Sequence, residues 1–338
     1  MLTNQKKIFR NILVVRLSSL GDVILTTPLI RILKNQYPEA KIDFLAAKPF
    51  DEIYINNPNV NRILAYDKLK TLKEITYWKN SLLNNEIKHY YDLVIDLQNN
   101  FRSKHFIKGI ADKVISYDKK RIDKIKMVWF KSFPENTTPI PERYINSCSE
   151  IGLEPDGKGC ELFTANDKLT QDEVLIAPGA KHFTKRWLPS NFAILADMLA
   201  GAGYKVGLIG GKADKEICSE IINAAKHDIN DYSGAVSIKE TLEYINKAIL
   251  VISNDSAAMH IAAARNKPVI AIFGSTVREF GFEPYKVPHE VVEVPQLSCR
   301  PCTHIGRAEC PKKHFKCMKD IEPEEVYKTA LKLIYHKR

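Results

Sequence analysis

The stretch VVRLSSLGDVILTTPLIRIL, residues 14–33, decides how the chain is read. It opens as a buried strand and continues as an amphipathic helix, and the join carries Ser18, Ser19, Gly21 and Asp22. A Val-rich strand running straight into a helix is the unit from which parallel α/β sheets are built. Where such a turn binds a dinucleotide it holds three spaced glycines, so that backbone amides can cradle phosphate. This turn lacks them, and the chain carries no GxxxxGKS or GxxxxGKT phosphate loop, which disfavours a dehydrogenase or a phosphate-loop ATPase. The aspartate then has two readings. It caps the helix and complements its dipole, or it is a general base aimed at a ligand beyond the strand ends. A helix start lowers an aspartate's pKa and weakens it as a base, so a base role needs burial or late proton transfer to compensate.

Working outward, Val-, Ile- and Leu-rich runs recur at helix-length intervals. ILVVR (12–16), KIDFLA (41–46), RILAY (62–66) and DLVIDLQ (92–98) form one series; EVLIAPGA (173–180), YKVGLIGG (204–211), ILVISND (249–255) and PVIAIFG (268–274) form a second. Such runs are the pattern of parallel strands covered on both faces. Two series predict two α/β domains, residues 1–165 and 166–338, separated by the proline-rich FPENTTPIPER and the glycine- and charge-rich IGLEPDGKGCE. Ligands of open parallel sheets sit beyond the carboxyl ends of the strands, so two facing sheets would place the chemistry in a central cleft. A closing helix has Val326, Ala330, Leu331, Leu333 and Ile334 on one side and is expected to pack.

The 338 residues are 45% hydrophobic and 27% charged, a globular composition. The apolar run near the start ends at Arg16 after four residues, too short for a signal peptide, and no run approaches the ~18 apolar residues of a membrane span. A cytoplasmic protein is expected. Its net charge of +10 points to anionic partners. Between Arg102 and Lys131, ten Lys or Arg stand against three Asp, interleaved with Phe106, Trp129 and Phe130. That segment reads either as a solvated helix face or as a surface for a membrane or a phosphate-rich acceptor.

Three further stretches carry chemistry. In ISNDSAAMHIAAA (252–264) a strand meets a helix whose first amides are an anion site by construction, with Ala257 and Ala258 small enough for a diphosphate to approach. The plain alternative is an N-cap made by Asp255 or Ser256, with His260 partly buried. In APGAKHFTKRWLPSNF (177–192) the turn at Gly179 and Ala180 exposes backbone donors beside Lys181, Lys185 and Arg186, and lysine suits a phosphate leaving group; the alternative is surface basicity. Asp214 in LIGGKADKE is either a ribose-hydroxyl acceptor or an exposed helix-start residue. Finally, Cys299, Cys302, Cys310 and Cys317 fall within nineteen residues of one another, a weak signal for structural zinc because the second pair is spaced by six residues. Reduced cysteines in a compact loop are the other reading.

Together VVRLSSLGDVILTTP, GAKHFTKRWLP, ISNDSAAMHIAAA and the IFGST strand end make the chain resemble, from about residue 11 to residue 335, the heptosyltransferases of glycosyltransferase family nine, which extend lipopolysaccharide inner core. The resemblance implies a GT-B architecture: two Rossmann-like domains facing a central cleft, the first holding the acceptor and the second ADP-heptose. It implies that Asp22 is the catalytic base and that Lys185 contacts donor phosphate. Asp255, Ser256, Ala257, Ala258 and His260 match the family's D-S/T-x-x-x-H element, with Ala257 where glycine is frequent, and Asp214 matches its ribose contact only loosely. Ser18, Ser19 and Gly21, and by charge Lys119, Lys120 and Arg121, are expected to meet the acceptor. No cofactor is required on this view. The implied setting is peripheral, at the inner face of the cytoplasmic membrane, with no nucleic acid. Open rivals are a same-fold transferase with another nucleotide sugar or glycan acceptor, and a non-catalytic sugar-nucleotide-binding protein.

Overall fold

The computed structural model describes residues 8–67, 71–83, 90–164, 173–235 and 237–335. The chain divides into two compact units, Met1–Lys119 with Pro141–Lys158, and Lys120–Ile140 with Gly159–Arg338. It passes between them three times, the last at 158/159; the expected boundary at 165/166 falls outside the described residues.

The first unit is built on β1 (Asn11–Val15), β2 (Lys41–Ala47), β3 (Arg62–Tyr66), β4 (Tyr91–Asp96) and β5 (Ala111–Ser116), parallel and ordered β3-β2-β1-β4-β5. Ile12 to Val15 of the central strand are wholly buried, because residues on both of its faces are covered by helices. The single helix expected after β1 is two: α1 (Leu20–Ile24) and α2 (Thr27–Gln36). Pro28 has no N–H to give the Ile24 carbonyl, and the Thr27 hydroxyl donates to that carbonyl instead at 2.9 Å, while Thr26 Oγ1 donates to Val23 O at 2.6 Å. The helix α2 is covered over most of its length, Thr27 to Leu33 all being buried. Its Arg31 is neutralised by Asp156 at 2.7 Å. The helices α3 (Leu72–Leu82), α4 (Phe101–Ile107) and most of α6 (Ile140–Asn146) complete the unit, whereas α5 (Arg121–Phe130) belongs to the second.

The second unit carries β6 (Glu173–Ala177), β7 (Lys205–Gly211), β8 (Asn230–Ala235), β9 (Ala248–Asn254), β10 (Val269–Phe273) and β11 (His289–Glu293), again parallel, in the order β11-β10-β9-β6-β7-β8. The intervening helices are α7 (Pro189–Gly201), α8 (Lys215–Ala224), α9 (Ile238–Asn246), α10 (Ala257–Ala264), the short α11 (Lys316–Lys319) and α12 (Pro323–Tyr335). As its pattern requires, α12 packs through Val326, Ala330 and Ile334 on a core that includes Trp187, Phe192 and Met318. No helix among the described residues is long and apolar enough to cross a membrane.

Candidate active site

In the first unit the candidate residues follow the carboxyl end of β1. Ser19 is the N-cap of α1 and Asp22 its third residue, which reaches back: Asp22 Oδ2 accepts from the Ser19 amide at 3.1 Å and the Ser19 hydroxyl at 2.8 Å. The capping role is therefore realised, as a capping box. The other oxygen is engaged as well. Arg16 NH2 lies 2.7 Å from Asp22 Oδ1, and Arg16 is itself held by the Leu97 carbonyl at 2.7 Å and stands 5.6 Å from the centre of the Tyr144 ring. The Tyr144 hydroxyl donates to Asp22 Oδ1 at 3.5 Å. Gln98 Oε1 accepts from the amides of Leu17 and Ser18, at 3.0 and 3.1 Å, and fixes the turn. Burial alone would raise the Asp22 carboxyl; the Arg16 charge, then the Ser19 donors, outweigh it and hold Asp22 below the usual carboxylate value. Its side chain keeps 18% exposure.

In the second unit, turns after β6 and β9 are tied together by one amide. Asn254 Oδ1 accepts from the Trp187 N–H at 3.1 Å and its Nδ2 donates to the Pro178 carbonyl at 2.7 Å, which brings Gly179 to Lys185 beside the start of α10. Lys185 Nζ meets Asp255 Oδ2 at 2.6 Å, and the Thr276 hydroxyl donates to the same oxygen at 2.6 Å. Burial pushes the Asp255 carboxyl up, but Lys185 and then Thr276 prevail and hold it below its ordinary value. Asp255 thus faces Lys185 and does not cap α10. Ser256 occupies the N-cap without a side-chain cap bond; its hydroxyl pairs with that of Ser253 at 3.1 Å. Ala257 and Ala258 are half-buried at this helix start, and His260 is buried within α10, its ring centroid 6.3 Å from that of Phe282.

Asp214 lies against Gly179 and Gly210: a Cβ at Gly179 would collide with its carboxylate, and one at Gly210 would come within 2.6 Å of its Cβ. The carboxylate accepts from the Gly211 amide at 3.0 Å. Arg186 is spent on structure, donating to the Ala180 carbonyl at 2.7 Å, and Trp187 is fully buried.

The remaining expected residues fall elsewhere. Lys119 ends the first unit's segment, while Lys120 and Arg121 open the second unit's α5, so the basic stretch is shared between units. Cys299, Cys302, Cys310 and Cys317 line one small pocket with His314, whose Nε2 is 3.8 Å from Cys299 Sγ. All four thiols are free, and burial pushes the Cys317 thiol up to about 12. Among the described residues, no group of three or more His, Cys, Asp or Glu is arranged to hold a metal ion.

Two partners of the candidate base, Arg16 and Tyr144, are not marked by any motif in the sequence. Arg16 had a local signal, a charge closing an apolar strand. Tyr144, 122 positions from Asp22, had none.

Residues 81–313 match the profile of glycosyltransferase family 9 (heptosyltransferase). Lipopolysaccharide heptosyltransferase 3 of Escherichia coli K12 is 30% identical over 292 residues, covering 77% of this chain and 81% of the relative. Lipooligosaccharide heptosyltransferase 2 of Campylobacter jejuni is 26% identical over 93% of this chain and 95% of its own length. Among solved structures, the family 9 glycosyl transferase from Veillonella parvula matches with a TM-score of 0.79 at 22% identity, covering 98% of this chain and 99% of that one. E. coli ADP-heptose LPS heptosyltransferase II matches with a TM-score of 0.74 at 22% identity, over 97% and 99%. The α/β architecture of GT-B type is common to them. Profile and relatives agree that this chain belongs to glycosyltransferase family 9, the heptosyltransferases.

Proposed function

We propose that the protein transfers a heptose from ADP-heptose to the inner core of a lipopolysaccharide or lipooligosaccharide, with inversion at the anomeric carbon. Asp22 is the general base. One of its oxygens is fixed by Arg16, and the other accepts from Ser19, whose place an acceptor hydroxyl takes. A carboxylate held below its ordinary pKa is a weak base, but the attacking oxygen becomes acidic as the new bond forms, so a late proton transfer to Asp22 suffices. Ser18, Ser19 and Gly21 shape the acceptor side of this turn.

Leaving-group neutralisation is assigned to the second unit. One Nζ hydrogen of Lys185 is committed to Asp255, which positions the ammonium and leaves its other donors for a diphosphate. The first amides of α10, at Ser256, Ala257 and Ala258, supply the rest with the positive end of the helix, and His260 supports that turn from within. These groups supply charge that a divalent cation provides in other transferases. Gly179 and Ala180 leave room for the nucleotide, and Asp214 beside them is assigned to the ribose hydroxyls. The observation that carries this assignment is the helix start without a side-chain cap, lying next to the ion pair of half-buried Lys185 with buried Asp255.

The test is ADP release from ADP-heptose with a heptose-deficient lipopolysaccharide as acceptor. Turnover by the wild type and a fall of about 10²–10⁴ for folded Asp22→Ala are expected. Donor binding without turnover in the wild type would favour a non-catalytic binding protein, and near-wild-type turnover by Asp22→Ala would remove the base assignment.

A further inference from the structure

Among the described residues, the helix α5 packs on the second unit through the face that carries Met127. Met127, 4% exposed, packs with Val277 and Phe280, with Val128 and Phe282 against them. Lys131 Nζ pins its C-terminal end, donating to the carbonyls of Val128 at 2.8 Å and Pro301 at 2.6 Å. The opposite face is apolar and open: Ile122 is 69% exposed, Ile125 52%, Trp129 75% and Phe130 77%. Ile122, Ile125 and Trp129 follow the i, i+3, i+7 spacing of a single stripe, with Phe130 beside it. Large apolar side chains gathered at this exposure on a firmly anchored element mark an interaction surface.

Charge decides the occupant. Beside Lys131, which is spent on the anchor, residues 120–130 hold four Lys or Arg (Lys120, Arg121, Lys124, Lys126) and one acid, Asp123, a net +3. A second copy of the chain would bring the same cations to the same face. An anionic bilayer complements them at about 1 kcal/mol per basic residue near its surface, and tryptophan beside basic residues suits the level of the headgroups. Ten residues span only about 15 Å, so such a helix lies in the interface and cannot cross it.

We infer that α5 is a membrane-docking helix, which inserts Ile122, Ile125, Trp129 and Phe130 among the headgroups of an anionic phospholipid bilayer. It deepens the proposed function, which supplies a lipid-linked acceptor, by naming the element that brings the enzyme to the lipid and by placing it on the unit assigned to the donor.

The full chain is mixed with vesicles containing phosphatidylglycerol, or with phosphatidylcholine alone, and floated on a gradient. Binding to the anionic vesicles alone is expected, with most of it lost at about 0.5 M salt. Trp129 reports insertion because Trp187 is buried and Trp78 partly so: a blue shift in fluorescence is expected on adding anionic vesicles, and Trp129→Phe should abolish the shift while preserving binding. The triple variant Lys126→Glu, Trp129→Ser, Phe130→Ser should lose vesicle binding more than tenfold and keep wild-type ADP affinity, which shows it folded. Undiminished binding by that variant, equal binding to neutral vesicles, an unmoved Trp129 spectrum, or a dimer in gel filtration that the variant dissolves would each overturn the inference. No donor or acceptor is present in the vesicle assay, so its failure leaves the transfer chemistry standing, and failed turnover leaves vesicle binding standing.

Discussion

The turn after β1 and the turn after β9 are the same local device, a parallel strand running into a helix, and the two units fill it in opposite ways. In the first, the helix start is closed from within: Asp22 satisfies the Ser19 donors and is neutralised by Arg16. In the second, the helix start is left open, because the nearby carboxylate, Asp255, is turned onto Lys185 and Thr276. A helix N-terminus attracts negative charge. The difference teaches that one turn carries its own anion, which can act as a base, whereas the other is left for an anion that arrives with a ligand. The two glycine contents follow. The first turn needs one glycine; the second has none and leaves room through the small Ala257 and Ala258, with Gly179 brought beside it by the turn after β6.

The sharpest way to break this contrast is to remove Lys185. Lys185→Met strands the Asp255 carboxylate, 9% exposed, without its counter-ion; a loss of about 3–5 kcal/mol in urea unfolding is expected, with weakened ADP binding. Adding Asp255→Asn should restore much of the stability and none of the ADP affinity. Recovery of both would make the pair purely structural.

A smaller effect is expected from Gly179→Ala. The new methyl group displaces the Asp214 carboxylate and costs its bond to Gly211, so about 1–2 kcal/mol of stability should go, together with nucleotide affinity. Stability returning in Gly179→Ala/Asp214→Ala would identify the collision as the cause; no recovery would place the cost elsewhere in the turn.

The smallest effect is on pH dependence. Asp22 and Asp255 both have folded pKa values below their unfolded ones, so each contributes stability that is present above about pH 4 and lost as pH falls through the folded value. The stability difference between wild type and Asp255→Asn should therefore stay constant from about pH 8 to pH 5 and shrink below about pH 4. A difference that already shrinks near pH 6 would show the pair to be weaker than its geometry implies. Asp22→Asn provides the same measurement for the first unit.

Much of this was legible in the sequence. All eight apolar runs became strands, and the strand-turn-helix joins carrying Asp22, Gly179 and Asp255 stand where the runs end. The three strands among the described residues that were not read, β5, β8 and β11, all lie at sheet edges, where one side lacks a neighbour and the apolar signal thins: ADKVIS and HEVVE have one buried position each. The break between α1 and α2 was written in Pro28 but masked by the continuous apolar pattern around it. At the site, side-chain types were readable and their pairings were not. That Asp255 turns to Lys185, or that Tyr144 reaches Asp22, depends on contacts 70 and 122 positions apart along the chain, which no local spacing encodes.

The division of labour between the two turns is tested most directly by ADP calorimetry on Asp22→Asn and Lys185→Met side by side. Asp22→Asn is predicted to bind ADP within about twofold of wild type while losing turnover, and Lys185→Met to bind at least about tenfold more weakly, a loss of about 1.4 kcal/mol. Weakened ADP binding in Asp22→Asn together with wild-type binding in Lys185→Met would contradict the assignment of base and leaving-group functions to separate units.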